Sequence, residues 1–163
     1  MALRRDGTSG GTNTLFDRAD KYEADGDLRN AFRCMMIAAK RGDSWGQVNL
    51  GNFYASGKGV RRNSKKASYW YKKAYANGNR SGAFNLGVDR RNGGNIKSAV
   101  TWFKRAVAMN DGNACIALAR IYGTRRSGRR AAVGLLKRAL QMRRDDISEA
   151  AKEEAESLLK VIS

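Results

Sequence analysis

The stretch ASYWYKKA at residues 67–74 decides the fold of this chain, because related stretches recur along the sequence. It returns as AVTWFKRA at 99–106, as AFRCMMIA at 31–38 and as AVGLLKRA at 132–139. In each copy two alanines lie seven residues apart and enclose a bulky pair, a spacing typical of a helix face that packs closely on another helix. The copies begin 36, 32 and 33 residues apart. Such a period predicts a repeat protein.

A second pattern precedes these stretches and completes a helix pair. NLGNFY at 49–54 returns as NLGVDR at 85–90 and, more weakly, as ALARIY at 117–122. Glycines and asparagines between the two patterns supply the turns, because the chain has no proline. A single helix pair cannot bury both of its faces, so the four pairs are expected to stack.

The second repeat resembles the Sel1-like branch of the tetratricopeptide repeat superfamily. It joins LGNFYASGKGV at 50–60 to KASYWYKKA at 66–74, and few families combine these two segments. Its GKGV loop is a four-residue insertion relative to the other repeats, which resemble ordinary tetratricopeptide repeats in length. The resemblance implies an all-α fold, a right-handed α-solenoid of about four helix-turn-helix repeats followed by a C-terminal capping helix.

The repeat positions set the expected boundaries. They are a tail over residues 1–13, repeats over about 14–43, 44–79, 80–111 and 112–144, and an amphipathic capping helix over 145–163. The tail lacks a helical period, and we expect it to be disordered. The aromatic residues that fall on repeat landmarks are expected in the core: Tyr54, Trp70, Tyr71, Trp102, Phe103 and Tyr122.

The resemblance also implies a binding groove, because the first helices of tetratricopeptide arrays line the concave face. Two of the expected groove residues, Asn49 and Asn85, precede a Leu-Gly pair, where related arrays use Asn to hold the backbone or terminal carboxylate of a bound peptide. An alternative role for these two asparagines is to cap or bridge adjacent helices. The expected groove residues are Asn49, Asn52, Asn85, Val88, Arg91, Asn113 and Arg120, with Val48 and Ile116 beside them.

The charge of the chain is uneven along its length. It carries 32 Lys and Arg against 15 Asp and Glu, a net charge of +17. Residues 28–144 alone carry +23, because their only acids are Asp43, Asp89 and Asp111. A surface this basic predicts an acidic partner. The candidate basic patch consists of Arg61, Arg62, Lys65, Lys66, Arg125, Arg126, Arg129 and Arg130.

The composition argues against an enzyme, and we expect no cofactor, no metal and no small-molecule substrate. Without histidine the chain cannot form a Ser-His-Asp triad or a His-ligated metal site. Cys34 and Cys115 lie outside any CxxC pair, which predicts free buried thiols in a reducing compartment. No stretch is apolar enough for a signal peptide or a membrane span, so the predicted location is the cytoplasm.

These features predict a non-enzymatic protein-binding module that takes an acidic surface or an extended peptide into its groove. By analogy with the family, one version is a bacterial toxin-immunity protein and another is a chaperone for a secreted effector. The alternative is a protein that binds RNA or single-stranded nucleic acid through its basic face. No motif for reading bases accompanies that charge.

Overall fold

The structure is a computed structural model that describes residues 10–162, and every regular element in that range is helical. The chain divides at the Asn79–Arg80 bond into an N-terminal and a C-terminal compact unit. The N-terminal unit contains α1 (Gly10–Ala24), α2 (Leu28–Lys40), α3 (Ser44–Ser56) and α4 (Ser64–Ala76). The C-terminal unit contains α5 (Arg80–Asn92), α6 (Ile96–Ala108), α7 (Gly112–Gly123), α8 (Arg129–Leu140) and α9 (Glu149–Ile162).

The start of α1 differs from the expected tail boundary. The helix begins at Gly10, inside the segment 1–13 that was predicted to be disordered. The rest of that prediction, residues 1–9, lies outside the described residues.

A recurring Asp or Asn cap starts several helices and replaces proline as the signal for a turn. At the α2–α3 turn, Gly42 adopts φ +88°, which favours glycine, and the Asp43 side chain then accepts a hydrogen bond from the Gly46 N–H at 2.7 Å. Such a side chain satisfies one of the N–H groups that the first turn of a helix leaves unbonded. The caps of this kind are Asp27, Asp43, Asn63, Asn95 and Asp111.

The repeated alanines form the contacts between helices. Within each unit every helix packs on the next one along the chain, and α9 packs on both α8 and α7. The alanines that open and close the four repeated stretches are fully buried, because a methyl group allows two helix backbones to approach closely. They are Ala31, Ala38, Ala67, Ala74, Ala99, Ala106, Ala132 and Ala139.

A glycine in the first helix of a repeat lies directly against an aromatic ring of the second helix. A Cβ atom added at Gly51 would lie 2.4 Å from Cε1 of Tyr71, and one added at Gly87 would lie 2.5 Å from Cδ1 of Phe103. No real Cβ tolerates such distances, so the glycine makes room for the ring. Tyr71 is 4% exposed and Phe103 is completely buried.

The prediction that all six aromatic landmarks lie in the core is confirmed for Tyr71 and Phe103 and is wrong for the other four. Trp70 and Trp102 are half-buried, and so are Tyr54 and Tyr122. A cation covers each tryptophan from the outside: the Lys73 Nζ lies 5.5 Å from the Trp70 ring centroid, and the Arg105 guanidinium lies 4.4 Å from that of Trp102. The residue that follows each tryptophan, Tyr71 or Phe103, is the one that lies against the glycine and is buried.

The segment before α9 is anchored on the start of α7. The Gly112 N–H donates to the Asp146 carbonyl at 2.8 Å, and Ile147 packs against Gly112 with only 3% of its surface exposed. The Arg80 guanidinium binds the Asp146 carboxylate and the Asp145 carbonyl, and it also donates to the Asn110 carbonyl at 3.3 Å. These contacts fix the C-terminal helix within its unit.

Asp111 is a buried carboxyl beside this anchor. It caps α7 by accepting a hydrogen bond from the Ala114 N–H at 2.9 Å, and it is only 4% exposed. Burial raises the pKa of Asp111 to about 6, although the hydrogen bond from Ala114 and the charge of Arg80 both act to lower it. The two thiols, Cys34 and Cys115, are free and buried as predicted, and burial raises the pKa of Cys115.

We predict that Gly87→Ala destabilises the protein by about 1–3 kcal/mol, because the added methyl group overpacks the site of the Phe103 ring. Gly134→Ala is the matched control: Gly134 is an exposed helical glycine of α8 whose Cβ would meet nothing within 4 Å. The Gly134→Ala variant should be more stable than the native protein by about 0.5–1 kcal/mol, because alanine has a better helix propensity than glycine. Urea unfolding measures both. Equal changes in the two variants would contradict the glycine–ring contact.

We predict that Asp111→Asn gains stability relative to the native protein as the pH rises from about 4 to about 7.5. The raised pKa means that the folded protein holds this proton more tightly than the unfolded chain does. Ionisation of Asp111 therefore destabilises the fold as the pH rises through about 6. Asn removes the ionisation and can still cap α7. The measurement is urea unfolding of both proteins at the two pH values, and a pH-independent difference would refute the prediction.

Candidate partner-binding surfaces

The predicted groove residues of the N-terminal unit lie on α3. Asn49 is half-buried and Asn52 is exposed, and the Asn52 Oδ1 accepts a hydrogen bond from the Tyr71 hydroxyl at 2.8 Å. Val48 was expected beside the groove, but it is 4% exposed and belongs to the core. The Asn52 side chain therefore helps to position α4. Of the two amides, Asn49 is the better candidate for binding a partner.

In the C-terminal unit the predicted groove residues lie on α5 and α7. Those of α5 are Asn85 and Val88, which are half-buried, and Arg91, which is exposed. Those of α7 are Asn113 and Arg120, both exposed.

The surface of α7 is partly taken by the protein's own C-terminal helix. The Arg120 Nε forms an ion pair with Glu154 of α9 at 2.7 Å. Ile116 was expected beside the groove, but it is 4% exposed, because α6, α8 and α9 all pack on α7. Arg120 thus already binds a carboxylate of its own chain.

The basic residues of the second repeat form one exposed group, which we call the α4 cationic surface. Residues 44–79 contain no Asp or Glu. Each cation of the group is exposed, and none forms an ion pair with a residue in the described part of the chain. The group contains the predicted Arg61, Arg62, Lys65 and Lys66 together with Lys58, Lys72 and Lys73. The sequence could have identified the last three, because the acid-free stretch contains them as well.

The loop that carries Lys58, Arg61 and Arg62 is fixed at its base. Gly59, in the GKGV insertion, adopts φ +64° and lies so close to α2 that an added Cβ would be 2.2 Å from the Leu28 carbonyl oxygen. Val60 packs against the core of the N-terminal unit, and the Asn63 N–H donates to the Tyr54 carbonyl at 2.8 Å. The insertion therefore presents its cations from a well-defined loop.

An aromatic pair lies among these cations. Tyr69 is 51% exposed, and its ring meets the Trp70 ring edge-on with centroids 5.2 Å apart. The Lys73 Nζ lies 5.3 Å from the Tyr69 centroid. An exposed ring between cations offers a partner both apolar contact and charge.

The four predicted arginines of the fourth repeat lie between and at the start of helices of the C-terminal unit. Arg125 and Arg126 belong to the α7–α8 turn, Arg129 and Arg130 open α8, and all four are exposed without an ion pair to any described residue. Gly128 makes the turn tight, since its Cβ would lie 2.3 Å from the Tyr122 carbonyl oxygen. Residues 112–144 contain no acid.

Residues 44–144 expose almost no negative charge to balance these cations. Between residues 44 and 144 the only acids are Asp89 and Asp111. Asp111 is buried, and Asp89 is half-buried with the Arg90 guanidinium 3.9 Å away. Every fully exposed charge of this stretch is therefore positive.

Two kinds of feature are absent from residues 10–162. No three of their Cys, Asp and Glu side chains come together as a metal site would require. None of their helices combines the length and the apolar character of a membrane span.

The helix pairs, the buried alanines and the successive packing define an all-α solenoid. The family model for the Sel1 repeat matches residues 46–79 and 81–111, which are the second and third helix pairs. The chain therefore contains two Sel1 repeats, one in each of these segments. Its fold is accordingly that of a protein–protein interaction module.

Solved structures share this fold. A Sel1 repeat protein from Oxalobacter formigenes superimposes with a TM-score of 0.74 at 21% identity over 91% of the chain. A protective antigen of uropathogenic Escherichia coli with an SLR fold superimposes with a TM-score of 0.74 at 18% identity over 94% of the chain. The MamA protein superimposes with a TM-score of 0.58 at 17% identity, over 93% of this chain and 89% of the MamA chain. The chain spans 62% of the first protein and 34% of the second. No curated protein matched the chain.

Proposed function

We propose that the chain is a non-enzymatic module that binds a protein partner through an acidic surface of that partner. The observation that carries the proposal is the one-sided charge of residues 44–144, where every fully exposed charge is positive. Cations without internal ion pairs are available to carboxylates of another molecule. Their summed field also speeds the approach of an acidic partner.

A toxin-immunity protein and an effector chaperone are two roles of this kind. In both, a small chain covers one surface of a dedicated partner. The charge restricts the immunity version, because a toxin with a basic nucleic-acid-binding surface would be repelled. Free thiols at Cys34 and Cys115 suit the reducing cytoplasm in which we place either role.

The first test uses a fluorescein-labelled oligoglutamate of about 20 residues and an oligolysine of equal length as its control, with fluorescence anisotropy as the readout. We predict that the native protein binds oligoglutamate, with affinity falling at least about tenfold between about 50 and about 200 mM salt because exposed charges are screened. Oligolysine should not bind. No binding of oligoglutamate at the lower salt concentration would refute the proposal.

The predicted groove and the cationic surfaces are separate candidate sites for this partner. Asn49→Ala combined with Asn85→Ala removes the two groove amides and leaves every charge in place. We predict that oligoglutamate binding survives, because neither amide belongs to the α4 cationic surface or to the exposed arginines of residues 125–130. Loss of binding at an unchanged melting temperature would place the site in the groove.

Nucleic-acid binding is the second candidate function, and the exposed Tyr69 ring among cations favours it, since bases stack on such rings. A labelled uridine oligonucleotide of the same net charge as the oligoglutamate distinguishes the two functions. Under the protein-binding proposal the oligoglutamate binds more tightly. Tighter binding of the oligonucleotide, with a steep salt dependence, would instead assign the chain to nucleic-acid binding.

A further inference from the structure

We infer that the acidic partner docks on the exposed face of α4, with Tyr69 as the apolar anchor and Lys65, Lys72 and Lys73 as the charge contacts. This inference rests on the proposed function and assigns it to one surface. The occupant to which it commits is an acidic α-helix that carries one apolar side chain among its carboxylates.

The four side chains share one face of a rigid helix. Relative to Lys65 they stand at i+4, i+7 and i+8, a stripe about 12 Å long on an α-helix. All four are exposed, whereas Ala67, Ser68, Tyr71 and Ala74 form the buried side of α4. The Asn63 cap and the Tyr71–Asn52 hydrogen bond hold this helix at its start and its middle. A partner therefore meets a surface that needs little ordering on binding.

Tyr69 distinguishes this stripe from the equivalent one in the next repeat. The alignment of residues 67–74 with 99–106 places Thr101 at the position of Tyr69, Lys104 at that of Lys72 and Arg105 at that of Lys73. Both stripes are cationic and exposed, but only α4 adds a half-exposed ring, packed on Trp70. Tyrosines in such positions dominate the binding energy of many interfaces.

The protein's own α9 indicates the chemistry of the occupant. This helix carries Glu149, Glu153, Glu154 and Glu156, and it lies against α7 and α8 in the C-terminal unit. It buries Ala151 and Ala155 while Glu154 pairs with Arg120. An acidic helix is thus accommodated on a repeat of this chain through small apolar contacts and a carboxylate–cation pair. The α4 stripe matches about eight residues of a second such helix.

The test measures binding of a fluorescein-labelled helical peptide of about 14 residues, with one central Leu flanked by Glu at helical spacing. Lys72→Glu should weaken binding about tenfold and Tyr69→Ala about fivefold. The matched controls, Lys104→Glu and Thr101→Ala, make the same kinds of change at the equivalent positions of α6. They should change affinity less than about twofold. All four positions are exposed, so circular dichroism melting should confirm unchanged folds. Tyr69→Phe keeps the ring and should bind like the native protein.

Each contrary outcome has its own meaning. If the native protein binds neither this peptide nor oligoglutamate, the proposed function fails and the docking inference fails with it. If the native protein binds but Lys72→Glu and Lys104→Glu lose affinity equally, only net charge matters and docking on α4 is refuted while the proposed function stands. If the uridine oligonucleotide binds more tightly than the peptide and Tyr69→Ala abolishes its binding, the stripe is a nucleic-acid site and the inference is overturned.

Discussion

The closeness of one glycine to one aromatic ring governs how the second and third helix pairs are built. At Gly51 and Gly87 the missing side chain lets the ring of Tyr71 or Phe103 lie directly on the backbone of the preceding helix. With the ring seated, the alanines that flank it in sequence reach the same interface and are fully buried. Interiors are close-packed, so a residue larger than glycine could not be accommodated without separating the helices. The Leu-Gly pattern of the first helix and the Trp-Tyr or Trp-Phe pattern of the second helix therefore recur together because they meet in this contact.

Because this contact fixes the inner side of the second helix, the outer side is free to carry charge. On α4 the outer side is composed almost entirely of lysines around Tyr69, and on α6 it carries Lys97, Lys104 and Arg105. Apart from Lys73 and Arg105, which cover Trp70 and Trp102, these charged side chains take no part in the packing between helices. The charge of the repeats is therefore a property of function more than of folding.

The sequence was sufficient for the helix pairs, since alanines seven residues apart and Asx residues before the helices are local signals. It could not decide which residue of the Trp70–Tyr71 pair is buried, because adjacent helical positions differ by only about 100° and the glycine opposite makes the choice. Val48 and Ile116 were misplaced because burial depends on the packing of whole helices, which a local repeat pattern does not report. The Arg120–Glu154 pair joins residues too far apart in sequence for any local pattern to indicate it.

The successive packing of helices also bears on how the chain folds. Within each unit the helix contacts run from one helix to the next, with α7 and α9 as a near neighbour pair. Contacts between segments close in sequence require only short loop closures, and proteins dominated by them fold rapidly. The chain also contains no proline, so no slow prolyl isomerisation delays the process. A newly made helix pair can therefore acquire its structure while the following repeat is still being synthesised.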